Sequence, residues 1–325
     1  MTTNQKITTI ATRGYDSYVY CDHYDHHDYS DYFGDMSLPP LVAGTIIAKK
    51  FKLLEPLGKG AMGQVWKAEH VAARKRNDED IPFFAIKFDS DKLLDCLCNM
   101  EDVRQLYIKT VGLKHRNICT MYPLEEDCRY GYVLVMEYIP GKTIREYASA
   151  KPNAILEPME AIRILAPIAD ALDYVHSKGL LHLDIKPDNI MIARDGEPQI
   201  IDFGLAIQMQ NNRMPNISKK LVRAGSPLYM APEQWLGVSL DARTDQHALG
   251  VVAYELLAGV VPFDYINPFD PFGLEYRVCN TPAPPIPGVN DSVNEVLAKA
   301  LAKEGKDRFD DCRSFIDALM KAIQI

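Results

Sequence analysis

The stretch His182-Leu183-Asp184-Ile185-Lys186-Pro187-Asp188-Asn189, followed after a short strand-like run by Asp202-Phe203-Gly204, decides the reading of this chain. It places an acid, an amide and a second acid in the order that phosphoryl transfer requires. One carboxylate orients an acceptor hydroxyl, while the second carboxylate and the amide oxygen hold the cations that neutralise the transferring phosphate. Asp184, Asn189 and Asp202 fit these three places. Either motif alone is weak, because an isolated Asp in a turn more often caps a helix. Their ordered pairing is much more specific.

Outward toward the N-terminus the same order continues with Gly58-Lys59-Gly60-Ala61-Met62-Gly63-Gln64-Val65 and then Ala85-Ile86-Lys87. A G-x-G-x-x-G run opens a helix in dinucleotide folds but spans a hairpin over phosphates in kinases. Here Val65 and Trp66 continue a strand pattern, which favours the hairpin. With these motifs the chain resembles the eukaryotic-type (Hanks-type) protein kinase family, most closely its bacterial serine/threonine branch. The resemblance runs from about residue 50 to the C-terminus. It includes Ala231-Pro232-Glu233 at the end of an activation segment, with Ser226 at the acceptor site. Asp245 matches the start of a buried large-lobe helix, and Arg308 the partner of Glu233.

The resemblance implies an α+β bilobal fold, with a small β-rich lobe at 46–139, a larger helical lobe at 140–325, and a nucleotide between them. It further implies ATP with Mg2+ or Mn2+, transfer of the γ-phosphate to a Ser or Thr hydroxyl of a protein, the chain itself included, and Asp184 as base. Lys186 would contact the γ-phosphate, Lys87 the α- and β-phosphates, and Asn189 and Asp202 the metal. Gly58, Lys59, Gly60 and Gly63 would cover the phosphates. Val65, Ala85 and Met191 would sandwich the adenine, Met136 would guard the back of its pocket, and backbone groups of Glu137 and Ile139 would bond to it. Ordinary core packing accounts equally well for the three apolar residues taken alone. Pro140-Gly141 reads as the interlobe hinge.

Two positions depart from the family pattern. Leu183 stands where an Arg commonly pairs with a phosphorylated activation-loop residue, a charge-assisted contact leucine cannot make. The run 205–224 holds Ser218 as its only hydroxyl residue, so activation without phosphorylation is expected. The helical Glu that should pair with Lys87 maps by spacing to Leu106, and the nearest acids are Glu101 and Asp102. Five positions amount to a net rotation of about 140° on a 3.6-residue helix, so Glu101 serves only with a bulge or shifted register. A nucleotide-binding pseudokinase scaffold is therefore the alternative, and transfer to a small molecule or RNA a third reading.

Periodicity predicts strands through 51–89 around an exposed turn at 74–80, a helix over 91–112, a strand over 132–138 and a helix over 160–176. The apolar run 249–261 contains Glu255 and is too short to span a bilayer, so it reads as a buried helix. A Pro-rich connection at 281–287 interrupts the later helices.

The 325 residues carry a net charge of −8, which disfavours nucleic-acid or anionic-lipid partners. Seven scattered cysteines suggest reduced thiols in a cytoplasmic setting. No basic-apolar leader is evident, although export as an effector by another route is compatible with that. Residues 1–45 differ from the remainder: between Tyr15 and Asp35 lie six Tyr, six Asp and three His, with no Lys or Arg. This composition reads as a flexible tail, with docking, autoinhibition or metal capture by Cys21, His23, His26 and His27 as alternatives. Zinc at Cys96 and Cys98 lacks a second ligand pair. Oligomeric state is open.

Overall fold

The computed structural model describes residues 39–60, 63–72, 82–89, 107–108, 110–203, 206–208, 225–265 and 271–324. Glu101, Asp102, Leu106, Ser218, Gly204, the 74–80 turn, Cys21, Cys96, Cys98 and most of the run 91–112 lie outside them.

The N-terminal half forms one antiparallel sheet in the order β1-β2-β3-β4-β6-β5. Its strands are β1 (Ile46–Ile47), β2 (Phe51–Gly60), β3 (Gly63–His70), β4 (Phe83–Asp89), β5 (Glu125–Asp127) and β6 (Gly131–Glu137). Side chains alternate faces along a strand, so one parity builds the lobe's core and the other builds the cleft. Ile86 and Phe88 join Phe51, Leu53, Trp66, Ala68, Val133 and Val135 on the core face. Ala85 packs with Leu134 and Met136 on the other face, where parity also puts Lys87. Of the segment expected to be a tail, the described residues 39–45 lie against this sheet: Leu41 packs on its core and Tyr130 donates to the Pro39 carbonyl at 3.1 Å.

The remainder is mainly helical: α1 (Ile144–Ser149), α2 (Pro158–Ser177), α3 (Pro232–Leu236), α4 (Ala242–Ala258), α5 (Pro271–Asn280), α6 (Asp291–Ala300) and α7 (Cys312–Ile323). Helix α4 is buried almost all round from Thr244 to Leu257, as expected of the central strut of a core. It starts at an Asp241 cap and ends at Gly259, whose left-handed φ of +73° leaves no room for a Cβ, which would fall 2.3 Å from the Asn153 carbonyl oxygen. The helix thus stops short of the apolar run 249–261, and Val260 lies exposed. Its Glu255 is not a solvent-facing interruption, since the side chain is 14% exposed and is held by Arg145 and Tyr229.

Two small sheets lie beside these helices. Strands β10 (Pro198–Ile200), β9 (Ile190–Ala193) and β7 (Gly141–Thr143) form one, and β11 (Ile207–Gln208) pairs with β8 (Leu180–Leu181) in the other. Gly141, expected at the hinge, belongs to β7. A Cβ there would sit 2.1 Å from the Ile192 carbonyl oxygen, so its role is close strand approach. The connection out of β6 is Tyr138 to Pro140 instead. This is the bilobal protein-kinase fold, with a β-rich N-terminal lobe and a helical C-terminal one.

Candidate active site

The catalytic loop is held from below by one carboxylate. Asp245, fully buried in the first turn of α4, accepts the His182 and Leu183 amides at 2.8 Å each, and the His176 Nε2 lies at the same distance. The pKa of His176 is raised to about 9: burial pulls it down, but the hydrogen bond to Asp245 and the nearby Asp173 carboxylate, 3.8 Å from Nδ1, outweigh this. Leu183 takes a φ of +64°, a left-handed backbone costing roughly 1–2 kcal/mol for a residue with a Cβ. Both amides tied to Asp245 lie just before that strained point in the chain. The Leu183 side chain is buried, and its carbonyl accepts from Gln234 at 3.4 Å.

The strained turn presents Asp184. Its Oδ2 accepts from Lys186 Nζ at 2.8 Å and from the Asn189 amide nitrogen at 2.9 Å, while its Oδ1 accepts the Ser226 amide at 2.9 Å. Lys186 also reaches the Ser226 hydroxyl at 2.6 Å. Asn189 gives its second donor to the Asp184 carbonyl at 2.8 Å, which directs its amide oxygen the other way. Gly225 lets the chain come this close, since a Cβ there would lie 2.8 Å from the Leu183 carbonyl oxygen.

Across the cleft, Lys87 is 3% exposed and contacts both Asp202 oxygens, at 2.7 and 2.8 Å. Asp202 also has a left-handed backbone, with φ +63°, directly before Phe203. Phe203 is fully buried and meets His182 edge-on at 4.7 Å, so the two motifs of the opening stretch are packed into one unit. A carboxylate and an amide oxygen suit a hard cation.

Val65, Ala85, Met136, Ile139 and Met191 belong to one apolar cluster. Register places Val65 opposite Lys87 and Ala85 opposite Met136. The Glu137 amide is occupied by the Thr120 carbonyl at 2.9 Å, and its carbonyl receives the Cys119 thiol at 3.5 Å. The Ile139 peptide groups bond to no other backbone group among the described residues. Gly58 pairs with Val65, Lys59 with Gln64 and Gly60 with Gly63 at the hairpin tip, where Gly63 has a φ of +123° that a side chain would disfavour.

Glu233 and Arg308 form a two-bond pair at 2.7 Å for each contact, with the Arg308 side chain fully buried. Asp173, His176 and Cys312 also meet in the interior. In that cluster Asp173 of α2 caps the start of α7: its carboxylate oxygens accept the Cys312 and Arg313 amides at 3.0 and 2.9 Å. Reading by motif did not single out His176, Arg145, Tyr229 as a polar contact, or Gln234. Their partners lie far away in sequence, and only the short spacing of His176 before His182 hinted at a shared role.

A strand hairpin over a buried lysine, a loop with Asp and Asn, and an Asp-Phe unit beneath it define a protein kinase domain. The model of that family, the protein kinase domain, matches residues 51–320, and the chain belongs to it. It is 31% identical over 272 residues to the serine/threonine-protein kinase PrkC of Bacillus subtilis, covering 83% of this chain and 40% of that protein. To the serine/threonine-protein kinase Pkn1 of Myxococcus xanthus it is 32% identical over 289 residues, with shares of 84% and 38%. The chain therefore spans about two fifths of the length of these relatives. The crystal structure of the Mycobacterium tuberculosis PknI kinase domain is similar with a TM-score of 0.66 at 26% identity, over 88% of this chain and 100% of that one. No helix among the described residues is long and apolar enough to cross a membrane.

Proposed function

We propose that the chain is an ATP-dependent serine/threonine protein kinase, with its lobes divided between residues 139 and 140. The observation that carries this reading is the convergence of Lys186, Asn189 and the Ser226 amide on the Asp184 carboxylate. These donors fix the carboxylate in place without filling its capacity, since two carboxylate oxygens offer about four acceptor sites. Asp184 would orient the acceptor hydroxyl and take its proton as the new oxygen–phosphorus bond forms and ADP leaves. Lys186 would offset the charge gathering between donor and acceptor. A scaffold without transfer gives no reason for a Lys shared between an acid and the Ser226 hydroxyl.

Asp202 and the Asn189 amide oxygen would hold Mg2+, or Mn2+ in its place. When bound, that cation supplies charge neutralisation to the phosphate oxygens. Lys87 would place the α- and β-phosphates, and the Gly58, Lys59, Gly60 and Gly63 hairpin would cover them. Val65, Ala85 and Met191 would enclose the adenine, with Met136 behind it and the Glu137 carbonyl and Ile139 peptide groups at its edge. The four described cysteines, Cys119, Cys128, Cys279 and Cys312, are free thiols, which supports a cytoplasmic setting.

The test is incubation of the purified protein with γ-labelled ATP, magnesium and a generic basic protein, beside Asp184→Asn. Label on Ser or Thr with the parent chain, and a loss of at least about a thousandfold in the variant, is the expected outcome. Equal labelling by both would remove Asp184 from its role. Label on a small molecule or RNA alone would replace the protein acceptor.

A further inference from the structure

Four side chains outside the phosphate-handling set converge beside the catalytic loop. Arg145 of α1 donates to the Tyr229 hydroxyl at 2.6 Å, to Asp188 Oδ2 at 3.1 and 3.3 Å, and to Glu255 Oε1. Tyr229 donates onward to Glu255 Oε2 at 2.7 Å. One guanidinium thus joins α1, the catalytic-loop turn Pro187–Asn189, the acceptor-segment turn Pro227–Tyr229 and the buried helix α4. This explains a Glu in the apolar run of α4: its carboxylate is the inner anchor, and side-chain exposure is 14% for Glu255 against 50% for Asp188.

The neighbours of these groups give the network its meaning. Asp188 directly precedes Asn189, and Tyr229 stands three residues after Ser226. The same two turns therefore carry the contacts to Asp184 and the link through Arg145. Leu183, buried and uncharged, supplies no cation to the activation segment. We propose that Arg145 is a positioning residue that clamps the acceptor segment 225–231 onto the catalytic loop without a phosphate group. A guanidinium fork of several donors serves these three acceptors at once, a geometry the point charge of a lysine ammonium does not reproduce.

This inference rests on the phosphotransfer reading, so its test includes a measurement that does not. Hydrogen exchange of the 225–231 amides is followed in the parent chain, Arg145→Ala, Arg145→Lys and Tyr229→Phe, beside KM for a protein acceptor and for ATP. In Arg145→Ala the amides should exchange at least tenfold faster and the acceptor KM should rise about tenfold, with the ATP KM within twofold of the parent. Arg145→Lys should recover part of both effects. Adding Tyr229→Phe to Arg145→Ala should cause little further loss, as expected for partners in one network. Should Arg145→Ala fail to fold, Arg145→Lys and Tyr229→Phe carry the same comparison. Unchanged exchange at 225–231 overturns the clamp, and so does a parallel rise of both KM values, which marks a general loss of stability. If the parent chain labels no protein, the functional reading falls, and the exchange rates alone decide the clamp.

Discussion

The catalytic loop and strand β4 bring charge to the same cleft by different means. The loop is tied by backbone amides to Asp245, a carboxylate with no exposed surface, and its strained Leu183 is held through its amide by Asp245 and through its carbonyl by Gln234. Lys87 arrives on a regular strand and meets Asp202 through side chains alone. The first arrangement resists change, because removing its anchor strands buried donors. The second is exchangeable, since an ammonium–carboxylate contact can trade for phosphate or cation at little backbone cost. Stability should therefore be concentrated beneath the loop and chemistry at the strand.

The largest expected effect follows from that division. Lys87→Ala and Asp202→Ala should each lower phosphoryl transfer by about a thousandfold or more, with melting temperatures lowered less than by loss of the wholly buried Asp245, since Asp202 is 26% exposed. Initial rates with labelled ATP and a thermal melt check both halves. Near-native turnover in either variant would remove the assigned role, and early unfolding would mean that the cleft pair is also structural.

Asp245→Ala should do the reverse, acting first on the fold. It leaves the His182 and Leu183 amides unpaired and takes a carboxylate from His176, as in breaking a buried pair, at about 3–5 kcal/mol. For a lobe of this size that is roughly 6–20 °C of melting temperature. A shift below about 2 °C would show that the loop holds its shape without this anchor.

A smaller effect should appear in the pH dependence. His176, facing Asp173, Asp245 and the buried Cys312 thiol, is raised from 6.5 to about 9. The native protein therefore keeps a proton that the unfolded chain releases. Its stabilisation is full below pH 6.5 and fades as pH climbs through about 9, amounting to about 3 kcal/mol. Lys303, which burial lowers to about 8, works in the opposite sense above that pH. The informative quantity is thus the parent-minus-His176→Gln difference in melting temperature between pH 6.5 and 8. A flat difference would mean that the imidazole is neutral between its two carboxylates.

What was legible in the sequence follows the same division. Asp184 and Asn189, five residues apart, fall within one motif, and the structure holds them in contact, whereas Lys87 and Asp202 are 115 residues apart and were brought together by the family resemblance and not by spacing. The strand pattern over 83–89 was also legible, and the helix predicted over 160–176 is present but starts two residues earlier, at Pro158 in the first helical position of α2. Pairings between distant elements were not readable. Arg145 and Glu255 are 110 residues apart, and an Arg at the head of a six-residue helix looks like any solvated charge. Gly141 was misplaced for a related reason: Pro-Gly signals a turn, whereas its lack of a Cβ here serves the approach of β7 to β9. The end of α4 was misjudged because apolar continuity hid the Gly259 stop.

The smallest expected effect concerns Ser218. A phosphate on an activation segment acts by recruiting a cation, and the position that usually supplies one is Leu183, whose apolar side chain is 6% exposed. The acceptor segment instead reaches the loop through Ser226, Gly225 and Tyr229, none of which needs added charge. Ser218→Ala should therefore keep at least half of the parent's kcat, and phosphatase treatment of the parent should change its rate by no more than twofold. A tenfold loss in either would mean that another cation reads a phosphate on this segment. Leu183→Arg sharpens the comparison. Placing a guanidinium in a buried, left-handed position should destabilise the loop without making activity depend on Ser218, because the site lacks the room and solvent that a charge-bearing switch requires.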